Sequence, residues 1–570
     1  MPHALAIIVA DLHTGRLGHP RSLATALAGR PVLHHTAARA ARLERVQKVV
    51  VVHPPGQDPL ALIDPAALGL PLETLAHPAV AGDALTPRRR AARRWATAGW
   101  RGGLQGATAW DELLPAAPIV AALEQFHADA AALVGGDWCL FDPAYADELL
   151  KLHLDAPQAM KLTFTQAPPG LGPVVTSRAV LHDLAQKQAS IGGVLAYSPP
   201  RPALDPIGRE CNHPIPAPVR DLARRFIYDT PDGTDRLHQL ADRLGDRFGS
   251  ADALAVTDAC RALELDHPGR VFDTLPPQIT LELTPRRIAR GPITPQHYFS
   301  VSRDDMDPGL ARDVLSQCAG RAVTLGGLGD ATLHPHWAEL ADAAVDAGAD
   351  GLHLETDLLA PRDRLAPLVQ PGPQGPAFRG DIISVRLNAD TAETYRNVMG
   401  VDRFADVMET LQWLFDQRSQ HAAAMPWIIP RLTKTPDTLQ DMESFFERWK
   451  QLVGHAVIDR PWTCGRGRLA LAPDLSPVPM DPPPRPPSPW QVKHRLTVLS
   501  DGTVTLCAQD VLGRAPLGNV REHSLLELWQ NAPQALAPWA DPARTDSPLC
   551  RRCADWISLR RDTAKAGGAS

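Results

Sequence analysis

Residues 278–305 read QITLELTPRRIARGPITPQHYFSVSRDD: a short apolar strand, then a loop rich in arginine and proline that contains no cysteine. The same kind of strand recurs downstream as AVTL (322–325), GLHLE (351–355), DIISVRL (381–387), WIIPRL (427–432) and AVID (456–459), with helical stretches between. Parallel neighbours need a long crossover, usually a helix, to bring the chain back to the starting edge. Six strands with helical crossovers therefore predict a parallel sheet, open or curled into a partial barrel, over residues 276–460. Before the last strand, Met442, Phe445, Phe446, Trp449, Leu452 and Val453 are spaced as one apolar helix face.

Working outward, 570 residues are too many for a single hydrophobic core, and two to four domains are expected. A net charge of -6 gives no basic stripe, so no nucleic-acid partner is expected. No stretch approaches eighteen apolar residues, so no membrane span is expected. The opening ALAIIVA is short and lacks a basic flank, so it does not read as a signal peptide. The 8 cysteines are few and scattered, which fits a reducing cytoplasm. There the C-x-x-C of Cys550 and Cys553 reads as a metal site rather than a disulfide. Cys139, Cys211, Cys260 and Cys318 read as small buried hydrophobes. Arginine far outnumbers lysine, a bias read as genome composition more than function.

The first block, residues 1–250, opens with an expected strand at His3–Ala10 and a Gly/His/Pro loop. A helix carrying Val32, Leu33, Ala37, Ala40 and Leu43 follows, then a strand at Gln47–His53. Strand, loop, helix, strand predicts an α/β layered domain. Within it, Ala6–Thr36 resembles the opening of sugar-activating cytidylyltransferases, including the spore-coat polysaccharide type. Ala10, Thr14, Arg16 and Leu17 fall in register with that family's phosphate loop, and Gly29–His35 matches its next motif. Asp11 stands where arginine is usual, Thr14 replaces serine, and Arg21 lies near the expected lysine.

Cationic side chains in such a loop neutralise a triphosphate. Attack on the α-phosphate calls for a divalent metal, and the metal calls for carboxylates. The resemblance puts Mg²⁺ on Asp137 of LVGGDWCLFDP (133–143) and Asp229 of RRFIYDTPDG (224–233). It makes Arg16 catalytic and gives nucleotide contacts to Thr14, Arg21, Gly102, Gly103 and Gly106. The implied partners are CTP and a sugar or sugar acid. The arginine run Arg88–Arg94 is expected to be a solvated helix face.

In the middle block, Gly326–Leu340 (GGLGDATLHPHWAEL) resembles the glycine motif of radical S-adenosylmethionine enzymes. Ile383–Gly400 resembles a later segment of the same family, with Ser384 and Tyr395 in place. The resemblance implies cofactor contacts at Gly326, Gly327 and Ser384. That chemistry needs C-x-x-x-C-x-x-C after the first strand, to hold a [4Fe–4S] cluster with one open iron. Here the loop offers Arg286, Arg287 and Arg290, and the family's Glu-Pro becomes Asp330–Ala331. The barrel is therefore expected without radical chemistry, and S-adenosylmethionine is not expected as a cofactor.

After the proline tract Pro479–Trp490, a stiff connector, comes RLTVLSDGTVTLC (495–507), hairpin-like in pattern. Ser524 and Glu527 have the spacing of a helix capping box. With LGNVREHSLLELW and PLCRRC, these segments resemble the SPASM auxiliary-cluster domain, placed at residues 485–560. Three of its cysteines map to Cys507, Cys550 and Cys553, and Ser488 stands at the place of the fourth. The set implies a [4Fe–4S] cluster with an open iron or outside ligand. It also suits zinc, with His494 or water completing the set.

The chain as a whole resembles a fusion of three parts. A nucleotide-diphospho-sugar transferase-like layered α/β domain is followed by a partial (β/α) barrel of radical S-adenosylmethionine type and a small SPASM domain. One implied function is Mg²⁺-dependent nucleotidyl transfer to a sugar or sugar acid in polysaccharide biosynthesis. The other is an iron–sulfur SPASM protein without nucleotidyl transfer, in a radical S-adenosylmethionine-type role or as a scaffold that binds a peptide or protein partner.

Overall fold

The computed structural model describes residues 3–83, 86–95, 114–186, 211–220, 222, 224–266, 273–370, 380–420, 425–453, 456–459 and 494–535. Gly102, Gly103, Gly106, Cys464, the proline tract with Ser488, Cys550 and Cys553 lie outside these. The chain divides into two compact units at His267/Pro268.

The first unit is built on strands of almost pure aliphatic sequence. They are β1 (Ala4–Val9), β2 (Ala26–Leu27), β3 (Arg30–Pro31), β4 (Val49–His53), β5 (Leu72–Ala76), β6 (Ala130–Gly135), β7 (Leu162–Thr165), β8 (Val174–Ser177) and β9 (Asn212–His213). Among the described residues they form a seven-stranded sheet, β5-β4-β1-β6-β8-β7-β9, and a β2–β3 hairpin. Every residue of β1, β4 and β6 is buried, as central strands covered on both faces require; β1 pairs in parallel with both β4 and β6, and β6 pairs antiparallel with β8. The chain moves from β1 out to β4 and β5, then returns to lay β6 on the other side of β1. That reversal makes the carboxyl ends of β1 and β6 a topological switch point, the place where open α/β sheets have their ligand crevice. The unit runs past the expected boundary at 250, through a helix at Ala253–Asp266.

The second unit contains all six strands expected from the sequence. They are β10 (Gln278–Leu281), β11 (Ala322–Leu325), β12 (Gly351–Thr356), β13 (Ile382–Arg386), β14 (Trp427–Thr433) and β15 (Val457–Asp459). All pair in parallel, each with the next in sequence. Three further strands, β16 (Arg495–Val498), β17 (Thr503–Thr505) and β18 (Pro516–Asn519), continue the sheet beyond β10. β16 pairs in parallel with β10, from Gln278↔Arg495 to Leu281↔Val498, and β17 and β18 fold back antiparallel. The hairpin read as part of a separate block thus extends the sheet of the second unit. The Ser524–Glu527 capping box forms: Glu527 N donates to Ser524 Oγ at 3.2 Å, and Ser524 N donates to Glu527 Oε2 at 2.8 Å.

Two expectations are corrected here. Leu452 is not part of the buried stripe of the helix Met442–Val453; it is 64% exposed, while Trp449 is 1% exposed. The helix simply turns that position outward. Nor is the Arg88–Arg94 run a solvated face: Arg89 and Arg93 are buried, and Arg90 Nε donates to Arg16 O at 2.8 Å. Cys139, Cys260 and Cys318 are buried as expected, whereas Cys211 is half-buried. Burial pushes the Cys139 and Cys318 thiols up to about 12.

Replacing Trp449 by alanine should lower the unfolding free energy by about 3–5 kcal/mol, since it empties a filled core position. Leu452→Ala should stay within about 0.5 kcal/mol. Urea unfolding of the two variants checks both values.

Candidate functional site

The crevice of the first unit gathers side chains from three segments. The β1 loop closes on itself: Gly15 N donates to His19 O at 2.8 Å and Arg21 N to His13 O at 2.8 Å. Asp11 braces it, its Oδ1 accepting from His13 N at 2.9 Å, Thr14 N at 3.1 Å and Gln57 Nε2 at 3.1 Å. Burial opposes ionisation of Asp11, but these bonds and the charge of Arg21 outweigh it and hold its pKa below the usual value. Asp11 thus serves as a loop brace where the resembled family has arginine.

At the end of β6, Gly136 lets the chain pass against β1, for a Cβ there would lie 2.6 Å from Ala10 Cβ. This close approach sets Asp137 beside the β1 loop. Arg21 Nη2 donates to Asp137 Oδ2 at 3.0 Å, with side-chain exposures of 5% and 2%. Asp229 packs against Gly15, where a Cβ would lie 3.1 Å from Asp229 Cβ. Both its oxygens are taken by Arg225: Nε donates to Oδ1 at 2.8 Å and Nη2 to Oδ2. Arg16 Nη1 donates to Val80 O at 2.6 Å. Burial raises the pKa of Asp137; Arg21 opposes this and Asp229 adds to it.

Asp137, Asp229, Arg16, Arg21 and Thr14 therefore lie at one end of the sheet. The carboxylates, however, face guanidinium groups. A Mg²⁺ ion demands near-octahedral oxygen ligation, and it could claim Asp229 only by displacing Arg225 from both of its oxygens. Leaving a buried charge uncompensated costs about 3–5 kcal/mol. The residues as arranged do not fit Mg²⁺, and no chemical step is routed through it. Arg225 was inside the quoted motif, but nothing in its type or spacing marked it as the partner of Asp229.

The second unit carries another buried charged cluster. Leu352 and Leu354 pack with the apolar core on one face of β12, while His353 and Glu355 alternate onto the other. Glu355 Oε2 accepts from Arg386 Nη2 at 2.9 Å and from Gly327 N at 3.1 Å, and Oε1 accepts from Arg431 Nη1 at 2.9 Å. Burial opposes ionisation of Glu355, but Arg386 and Arg431 prevail and hold its pKa far below the usual range. Gly326 and Gly327 are needed for this contact: a Cβ on Gly326 would lie 2.6 Å from Glu355 Oε2, and Gly327 has φ +101°. Ser384 Oγ meets His353 Nε2 at 2.8 Å, and burial pushes His353 down to about 3.

The loop after β10 turns inward at Arg287, which grips Asp357 with Nε–Oδ2 at 2.6 Å and Nη2–Oδ1 at 2.7 Å. Both side chains are buried, with exposures of 5% and 1%. Arg286 pairs with Asp305. Thiolates for a first cluster are absent from this loop, whose described residues offer guanidinium groups instead. The donor set does not fit that cluster. Gly326, Gly327 and Ser384 contact neighbouring side chains of the same sheet.

Cys507 follows β17 and is half-buried; its carbonyl accepts from Asp510 N at 2.9 Å and from Thr505 Oγ1 at 3.3 Å. Among the described residues no three His, Cys, Asp or Glu side chains converge as a metal-binding set.

Comparison with known proteins bears on this last segment. Residues 490–554 match the SPASM family, an iron-sulfur cluster-binding domain. The SPASM match spans Cys507, Cys550 and Cys553. An uncharacterized protein of Treponema pallidum (strain Nichols) is 29% identical over 111 residues; the match spans 19% of this chain and 29% of that relative's length. Among solved structures, BtrN in complex with AdoMet and 2-DOIA is 14% identical with a TM-score of 0.32, covering 50% of this chain and 94% of its own. Streptococcus suis SuiB bound to S-adenosylmethionine is 12% identical with a TM-score of 0.34, at 54% and 77% coverage. A cytidylyltransferase from Leptospira borgpetersenii serovar Hardjo-bovis (strain JB197) is 12% identical with a TM-score of 0.30, at 47% and 94% coverage. No helix among the described residues is long and apolar enough to cross a membrane.

Glu355→Gln should cost about 3–5 kcal/mol, because it removes the carboxylate shared by the buried Arg386 and Arg431 and leaves Arg386 only Asp357, at 3.8 Å. The pH dependence follows from a depressed carboxylate. Its stabilisation is complete above the unfolded value of about 4.3 and is lost as pH falls toward the folded value. The stability gap between wild type and Glu355→Gln should therefore be widest above about pH 5 and narrow below about pH 4. Denaturant titrations across this range check the sign.

Proposed function

We propose that this chain is an iron–sulfur protein whose SPASM segment holds a cluster on Cys507, Cys550 and Cys553. The observation that supports this is the family match over residues 490–554, which takes in all three cysteines. Three thiolates suit a cubane cluster with one iron open to an outside ligand. Such a cluster supplies electron transfer or ligation at the open iron. The few, scattered cysteines favour a reducing compartment such as the cytoplasm.

The finer role proposed for the second unit is binding, with a peptide or protein as partner. Arg287 on Asp357, in a loop without cysteine, argues against radical chemistry from a first cluster. The unit then serves as a scaffold that presents the SPASM cluster.

A second reading concerns the first unit, and the arginines of its β1 loop favour it. Arg16 and Arg21 stand at the crevice between β1 and β6, suited to the phosphates of a nucleoside triphosphate such as CTP. Binding of CTP is the proposal. Transfer to a sugar or sugar acid rests on the resemblance alone, and the ion pairs on Asp137 and Asp229 argue against its Mg²⁺-dependent form.

Iron, sulfide and zinc content after anaerobic purification tests the cluster. About four irons and four sulfides per chain are expected. The double variant Cys550→Ala/Cys553→Ala should lose them. Zinc in place of iron, or iron retained by the variant, would overturn the assignment.

A further inference from the structure

We infer that the first unit binds its nucleoside triphosphate without a divalent cation, its own arginines doing the work of the metal. This rests on the nucleotide reading above and goes beyond it. Asp137 and Asp229 have the type and placement of metal ligands, yet each already carries a guanidinium. Arg225 and Asp229 have side-chain exposures of 3% and 0%, and Arg21 and Asp137 of 5% and 2%. Two nearly dry ion pairs of this kind are neutral. A divalent cation entering them would have to displace two guanidinium groups from buried carboxylates.

Positive charge is in surplus around the loop without it. Arg16, Arg21, Arg90 and Arg225 stand around the β1 loop against Asp11, Asp137 and Asp229. Asp11 is spent on the loop amides and Gln57. Arg16 Nη2 and Arg21 Nε are buried and have no hydrogen-bond partner among the described residues. Both are N–H donors, and both belong to the loop that borders the crevice. Phosphate oxygens accept from such donors directly, and a guanidinium can offer them two parallel bonds. The carboxylates in this arrangement hold the arginines in place.

The test is calorimetric titration of the full chain with CTP, once in excess EDTA and once in excess MgCl₂. Affinities equal within about twofold are expected. Arg16→Gln should weaken binding at least about tenfold in both buffers. Binding seen only with Mg²⁺ would overturn the inference and leave the nucleotide reading standing. No binding in either buffer would overturn both. A second measurement uses the metal alone. Mg²⁺ should not move the melting temperature of the wild type, but should raise that of Arg225→Gln, in which Asp229 is released. A wild-type protein that Mg²⁺ stabilises would count against the inference, whether or not Arg225→Gln folds.

Discussion

Glu355, held between Arg386 and Arg431, is the interaction on which the second unit depends. A lone ionised carboxylate cannot be taken out of water without a large penalty. The two arginines come from β13 and β14, so the ion pairs tie three neighbouring strands together. They also pin the register. A slip of one residue would move Glu355 to the opposite face of β12, among the leucines that pack on the helices. The glycines at 326 and 327 follow from the same constraint, because only a bare backbone can come close enough to donate to that carboxylate.

Guanidinium groups recur at two places where the chain's resemblances call for an inorganic cation. Arg287 turns inward in the loop where thiolates would hold a first cluster, and it is answered by Asp357. In the first unit Arg21 and Arg225 cap the two carboxylates that would hold a metal. A planar fork with fixed charge satisfies a carboxylate's lone pairs from two directions, which a flexible ammonium does less well. The excess of arginine over lysine, which reads as bare composition in the sequence, thus has structural employment in both units. These pairs leave the carboxylates at both places charge-balanced.

The C-terminal segment gains its position from the sheet. β16 lies parallel to β10, and Glu282, one residue past β10, accepts from Ser500 N at 3.2 Å and from Arg303 Nη2 at 2.8 Å. The hairpin that leads to Cys507 is therefore anchored by strand pairing and by a buried carboxylate. A cluster ligand on such a hairpin has a rigid origin on one side, which favours a preformed site over one assembled from a free loop.

The sequence by itself determined the elements and their order. Aliphatic runs such as ALAIIV and VVVV announced the central strands, and the Ser524–Glu527 spacing announced a helix start. These signals are local: periodicity and capping involve residues a few positions apart, so the chain carries them in plain view. The candidate residues were legible as types, two aspartates and a set of arginines. What they pair with was not. Arg21 and Asp137 are 116 residues apart, and Arg287 and Asp357 are 70 apart. Only the closing of β6 onto β1, and of β12 beside β11, brings them together. Arg225 and Asp229 are close in sequence, yet their pairing depends on a loop path that no periodicity encodes. The same holds for Leu452, turned out to solvent, and for β16, whose partner strand lies more than two hundred residues before it. Whether a carboxylate serves a metal or an arginine is decided by which charge reaches it first in three dimensions, and that is a property of the fold.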